Sequence, residues 1–119
     1  MWNSFLGKRL KGFGYALKGA WMLIRHEASI QVQTVVAIIV TIAGFYFDIS
    51  ATEWMFQFLA IGLVMGIEGL NTAVEEIADF MHPEYHSKIG YIKDVAAGAV
   101  FFAAITALII ACIIYIPKF

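Results

Sequence analysis

The chain has 119 residues, room for one small domain, and 61% of them are apolar against 14% charged. Soluble domains carry roughly 45–50% apolar and about 25% charged residues, and a small core cannot absorb such a surplus because small folds bury less of their chain. An ordinary soluble domain is therefore excluded; the net charge of -1 says little about partners, and no nucleic acid is expected among them.

Residues 1–28 come first. At helical spacing Leu6, Leu10, Phe13, Leu17, Trp21 and Ile24 share one face, and Lys8, Lys11, Lys18 and Arg25 share another. This pattern predicts a helix lying in the membrane surface with its basic side towards lipid headgroups. Gly7, Gly12, Gly14 and Gly19 oppose it, each costing about 1 kcal/mol relative to Ala in a helix, and a loose basic tail is the alternative. The segment lacks a continuous apolar core after its basic residues and does not read as a signal peptide.

Three apolar stretches follow, at 30–47, from Trp54 uncharged up to Glu68, and at 95–116; the spanning helices are read at 30–47, 54–79 and 95–116, the second being long enough only if its helix continues through the carboxylates that follow. Crossing the hydrocarbon takes about 20 helical residues, and backbone groups cannot be left unpaired in lipid. The expectation is an all-α integral membrane protein, a single domain over 1–119, with a surface helix and three spanning helices. Lys8, Arg9, Lys11, Lys18 and Arg25 precede the first span, and Lys88 and Lys93 lie between the second and third. The segment DISATE between the first two has neither Lys nor Arg. The positive-inside rule puts the N-terminus and the second loop in the cytoplasm, with Tyr46, Trp54 and Tyr115 at the outer interface. In the third span Ala97 and Gly98 suit close helix packing, and the lone Cys112 reads as inert.

The second span runs into GIEGLNTAVEEIADF, residues 66–80. At 100° per residue Glu68, Glu75 and Asp79 fall on one helix face, flanked by Asn71 and Glu76. Glu68 lies about 16 Å deeper than Asp79 by the helical rise. An ionisable group at that depth is costly and is a candidate functional residue. Carboxylates with an amide at the interface suit a hard cation such as magnesium, which takes oxygen ligands and nucleotide phosphates. The bland alternative pairs the carboxylates with basic residues of the surface helix, or leaves them as a solvated helix end. A proton or cation pathway through a small oligomeric transporter would show the same stripe, and a non-catalytic scaffold is a third alternative.

The next loop contains Pro83, which ends a helix or starts a turn. His82 and His86 are four apart but do not form HExxH and read as solvated loop residues. Asp94 is expected to cap the third spanning helix, with Lys93 beside it making an anion site at the helix N-terminus. There is no GxxxxGK[ST] motif, so ATP chemistry of the P-loop type is not expected.

GIEGLNTAVEEIAD followed by KDVAAGAV resembles the signature of the small prokaryotic diacylglycerol kinase and undecaprenol kinase family, E-x-x-N-[ST]-x-[IV]-E-x-x-x-D and then K-D before the last helix. Glu68, Asn71, Thr72, Val74, Glu75, Asp79, Lys93 and Asp94 supply it in order. The segment GYALKGAW, Glu27 in RHEAS and the three spans extend the resemblance over nearly the whole chain. The resemblance implies an ATP- and magnesium-dependent lipid kinase in the bacterial inner membrane, a homotrimer with sites between subunits that face the cytoplasm. It implies Glu68 as general base, Glu27 and Glu75 as metal ligands with Asn71 beside them, and Lys93 on the ATP phosphates. Asp79 and Asp94 would organise the nucleotide end, with Lys8, Lys11, Tyr15 and His86 as further nucleotide contacts. Gln33 stands where the proteobacterial diacylglycerol kinases are acidic, and the ending IYIPKF is closer to the undecaprenol kinases of Gram-positive bacteria.

Overall fold

A computed structural model describes residues 4–119. Its helices are α1 (Phe5–His26), α2 (Ala28–Tyr46), α3 (Ala51–Met81) and α4 (Ser87–Tyr115), with a 3-10 turn at Ile116–Lys118. Three of them, Ala28–Tyr46, Ala51–Met81 and the stretch Ser87–Lys118, are long and apolar enough to cross a membrane. The expected all-α membrane architecture is thus found; residues 1–3 of the expected surface helix lie outside the described residues.

Each helix starts and stops for a local reason. Ser4 caps α1 by accepting from the Gly7 N–H at 3.0 Å. Glu27 is extended (φ -101, ψ 116) and breaks α1 from α2, while the Gln31 side chain bridges the break by donating to the Arg25 carbonyl at 3.0 Å. The end of α2 is a Schellman turn. Ile49 N–H donates to the Gly44 carbonyl and Asp48 N–H to that of Phe45, with Asp48 left-handed at φ 52. A Cβ at Gly44 would lie 2.6 Å from the Trp54 ring, so only glycine admits that ring. Ser50 and Glu53 form a capping box that starts α3.

Helix ends and span ends differ, which corrects two boundaries. The second spanning helix starts at Ala51 rather than Trp54 and runs to Met81. The last begins at Ser87 rather than Val95, and His86, not Asp94, is its N-cap, its Nδ1 accepting from Lys88 N–H at 3.0 Å. Asp94 and Lys93 lie two turns inside the helix, so the expected anion site at a helix N-terminus does not exist there. Hydropathy marks where lipid ends; the polar stretch Ser87–Asp94 continues the helix beyond it.

The 31 residues of α3 extend about 46 Å, against a hydrocarbon thickness of about 30 Å. Counted inward from Trp54, the hydrocarbon ends near Ala73. The corresponding count from Tyr115 along antiparallel α4 ends near Val95. At the Trp54 end, Gln57, which is 5% exposed, donates from Nε2 to the Val40 carbonyl at 3.0 Å. Tyr115 donates to its Oε1 at 2.6 Å. This joins α2, α3 and α4 by side-chain hydrogen bonds inside the apolar layer. Phe45 packs on Trp54, and Phe47 on Tyr115 and Phe119. Thr34, Thr41 and Thr106 donate back to carbonyls four residues earlier, so their hydroxyls are satisfied within their own helices.

The chain exposes 8926 Å², against about 6,400 Å² for a soluble monomer of this size. Its radius of gyration is 17.8 Å, where a compact domain would have about 14 Å. It measures 49 × 48 × 21 Å, broad in two directions and thin in the third. Leu6, Leu10, Phe13, Leu17 and Trp21 of α1 are all exposed, the apolar face of a helix made to lie on lipid. Gly98 has nothing within 4 Å of its Cβ position, so no close helix contact forms at it within one chain.

Candidate active site

The buried stripe of α3 runs Gln57, Ala60, Val64, Glu68 and, further on, Ala78. Glu68 therefore occupies a core position, one that the 3–4 spacing would otherwise fill with an aliphatic residue. It is 8% exposed and forms no hydrogen bond or ion pair with any described residue. One turn on, the Asn71 Oδ1 is buried without a partner. A buried amide oxygen left unpaired beside a carboxylate on a core position is expensive. Such a pair marks a place where something else completes the bonding.

Two turns further, at the headgroup level, Lys93 of α4 meets Asp79 of α3, Nζ to Oδ1 at 2.5 Å, with the side chains 36% and 58% exposed. Glu75 lies within electrostatic reach of the same ammonium. The fold thus gathers Glu75, Asp79 and Lys93 at the seam of α3 and α4, with Glu68 and Asn71 on the span side of them. Asp94 is exposed beside them. His86 does not contact this cluster by any hydrogen bond; its Nδ1 is engaged as the cap of α4.

Glu27 is held at the break between α1 and α2, where its side chain makes no capping bond. It lines a cavity of about 440 Å³ between α1 and α3, with His26, Thr72 and Glu76. Glu75 is not part of that lining, so one chain does not put Glu27 and Glu75 on the same cavity. Among the described residues no three His, Cys, Asp or Glu side chains cluster as a metal cage. The donors at this end of α3 are carboxylate and amide oxygens, and the unpartnered Asn71 Oδ1 is among them, a set whose chemistry fits a hard divalent cation. Lys8 and Tyr15 are exposed on α1 and form no hydrogen bond or ion pair with the α3 carboxylates; Lys11 is exposed on the same helix.

Sequence reasoning missed His86 as the cap of α4 and Gln57 as the buried link between α2, α3 and α4. The Ser50–Glu53 box was legible as S-x-x-E before an apolar run. His86 as a cap had no such signal, since it depends on which ring nitrogen faces the helix.

The model of a family described as prokaryotic diacylglycerol kinase matches residues 14–115. An undecaprenol kinase of Bacillus subtilis (strain 168) is 38% identical over 113 residues, 95% of this chain and 92% of that protein. A diacylglycerol kinase of Escherichia coli (strain K12) is 32% identical over 108 residues, covering 88% of this chain and 86% of that protein. One of Synechocystis is 32% identical over 109 residues, 91% of this chain and 62% of that protein. None of these relatives is named as a transporter, so the alternative of a cation pathway gains no support.

Proposed function

The chain belongs to the prokaryotic diacylglycerol kinase family, and from that premise we propose how it phosphorylates a lipid alcohol with ATP as the donor. The observation that carries the reading is Glu68, a carboxylate on a core position of α3, 8% exposed and without an ion pair among the described residues, on the span side of Glu75, Asp79 and Lys93. The lipid hydroxyl oxygen attacks the γ-phosphorus of ATP, the bond from that phosphorus to the ADP oxygen breaks, and Glu68 takes the hydroxyl proton. Catalysis of this kind rests mostly on positioning and charge neutralisation. Lys93, steadied by Asp79, approaches the phosphates. Glu27 and Glu75 would hold magnesium, with Asn71 beside them, and the ion, when bound, supplies charge neutralisation at the phosphates. Asp94, His86, Lys8, Lys11 and Tyr15 serve the nucleotide.

Several observations support the wider setting. The Lys and Arg asymmetry supports an active site facing the cytoplasm across a bacterial inner membrane. The excess exposed surface and the separation of Glu27 from Glu75 within one chain support a homotrimer with sites completed between subunits. The natural acceptor we favour is undecaprenol, supported by Gln33, by the IYIPKF ending and by the higher identity to the undecaprenol kinase than to the Escherichia coli diacylglycerol kinase.

The test is transfer of labelled phosphate from ATP to undecaprenol and to diacylglycerol at equal surface density, with glycerol as a soluble control. Phosphorylation of either lipid far above glycerol is expected. Equal use of glycerol would remove the argument from the depth of Glu68, and a strong preference for diacylglycerol would overturn the choice of acceptor.

A further inference from the structure

The positive charge of this chain is concentrated in one helix. Residues 1–26 hold Lys8, Arg9, Lys11, Lys18 and Arg25 and no Asp or Glu, although the whole chain carries a net charge of -1. Arg9, Lys18 and Arg25 are exposed. Among the described residues ion pairs join Lys93 to Asp79 and Lys118 to Glu53, and neither involves these three. The Arg9 guanidinium lies over the Phe5 ring of its own helix, 4.9 Å from the centroid. At 100° per residue Phe13, Leu17 and Trp21 occupy one arc of α1, with Arg9 along one border of it and Lys18 and Arg25 along the other. Cations on both borders of an apolar arc reach headgroup phosphates while their stems stay at the acyl boundary. From Arg9 to Arg25 they are spread over about 24 Å of helix, too far to converge on one nucleotide and well suited to a plane of headgroups.

The bundle grips α1 loosely. Leu23 meets α3 at Gly69, where a Cβ would lie 3.1 Å from its side chain, but at Gly12, Gly14 and Gly19 a Cβ would meet nothing within 4 Å. A cavity of about 440 Å³ separates the last turns of α1 from α3, and Glu27 lines it. Glu27 is also the half-buried residue whose extended backbone joins α1 to α2. The lie of α1 therefore sets where Glu27 stands, and the surface under α1 supplies the hold that the bundle does not. Any bilayer buries the apolar arc. An anionic one adds about a fivefold gain in binding for each cation near it.

Resting on the lipid-kinase reading above, we propose that α1 docks on anionic phospholipid headgroups through Arg9, Lys18 and Arg25, and that this grip seats Glu27 at the site, so that turnover rises with the anionic lipid around the protein. The full-length protein and the variant Arg9→Gln/Lys18→Gln/Arg25→Gln are placed in nanodiscs of phosphatidylcholine, with and without phosphatidylglycerol. Exchange of the α1 backbone amides is measured first, without nucleotide, magnesium or acceptor. The three positions are exposed and Gln keeps a helix; equal protection of α2, α3 and α4 in both proteins checks that the variant is folded. Phosphatidylglycerol should raise wild-type α1 protection about tenfold, reversibly by salt, and change the variant little. No rise in the wild type, or an equal rise in the variant, overturns the docking surface. Protection by ATP in phosphatidylcholine equal to that by phosphatidylglycerol overturns it too, since the cations would then serve a free phosphate. Turnover at limiting magnesium and equal acceptor density should rise with phosphatidylglycerol about tenfold in the wild type and far less in the variant. An equal rise in both marks a surface that only gathers magnesium, and overturns the link to Glu27. A wild type that phosphorylates no lipid in any nanodisc removes the lipid-kinase reading and with it that link, while the exchange result decides the docking surface by itself.

Discussion

Lys93 Nζ sits 2.5 Å from Asp79 Oδ1, a contact 14 residues apart in sequence that fastens the headgroup ends of α3 and α4 to each other. Both side chains are well exposed and screened by solvent, so the pair adds little to the fold. Lys93→Met should therefore leave thermal stability nearly unchanged while raising the KM for ATP at least about tenfold, the loss expected for a charge-assisted contact. Asp79→Asn should have a smaller effect on KM, because it frees the ammonium without removing it. ATP titrations and melting curves on both variants decide; a large loss of stability with unchanged ATP binding would make the pair purely structural.

Glu68 and Glu75 lie seven residues apart on α3, about 10 Å along the helix. Glu75→Gln should weaken magnesium-ATP binding, since it removes a hard anionic ligand. Glu68→Gln should leave nucleotide affinity nearly intact but abolish turnover, because an amide cannot accept the proton. Nucleotide affinity measured beside turnover separates the two; equal loss of affinity in both variants contradicts the division of roles.

At the far end of the bundle, Tyr115→Phe would strip Gln57 Oε1 of its donor inside the apolar layer. The expected cost is about 1 kcal/mol. Gln57→Leu combined with Tyr115→Phe should recover part of that loss, because no polar group is then left unmet. Unfolding of the two single variants and the double variant in the same detergent checks this, and an additive loss would show that the pair does not interact.

Topology is tested by single cysteines in a Cys112→Ala background. Thr52→Cys should react with an impermeant reagent from outside intact cells, and Ser87→Cys only after the membrane is opened. The reverse pattern would invert the proposed orientation.

Fold class and the three spans were legible because hydrophobic length is a direct consequence of bilayer thickness. The ends of α3 and α4 were less so. Ser87–Asp94 carries too many polar residues to look like a spanning segment, yet nothing in it breaks a helix, and the cap at His86 depends on ring orientation. In the site, the depth of Glu68 followed from counting residues, and its burial confirms a core position. The stripe ordered Glu68, Glu75 and Asp79 by depth but said nothing of burial; in the fold Glu68 is buried while Glu75 and Asp79 are exposed. That Glu76 would share a cavity with Glu27 required knowing where α1 lies, and helical spacing on α3 alone carries no such information.

The tight Schellman turn between α2 and α3 has a consequence for how the chain is made. Phe47 to Ser50 leaves no slack between the two helices, so a chain that keeps this turn can insert them together only as one hairpin, tip first. In the proposed orientation the residues from Phe47 to Glu53 are translocated, and the charges among them are Asp48 and Glu53, with no Lys or Arg. Asp48 already donates its N–H to Phe45, and the Ser50 and Glu53 side chains close on each other's backbone. The tip therefore crosses with several of its backbone groups satisfied internally and with carboxylates rather than fixed cations, which the positive-inside bias resists moving outward far less.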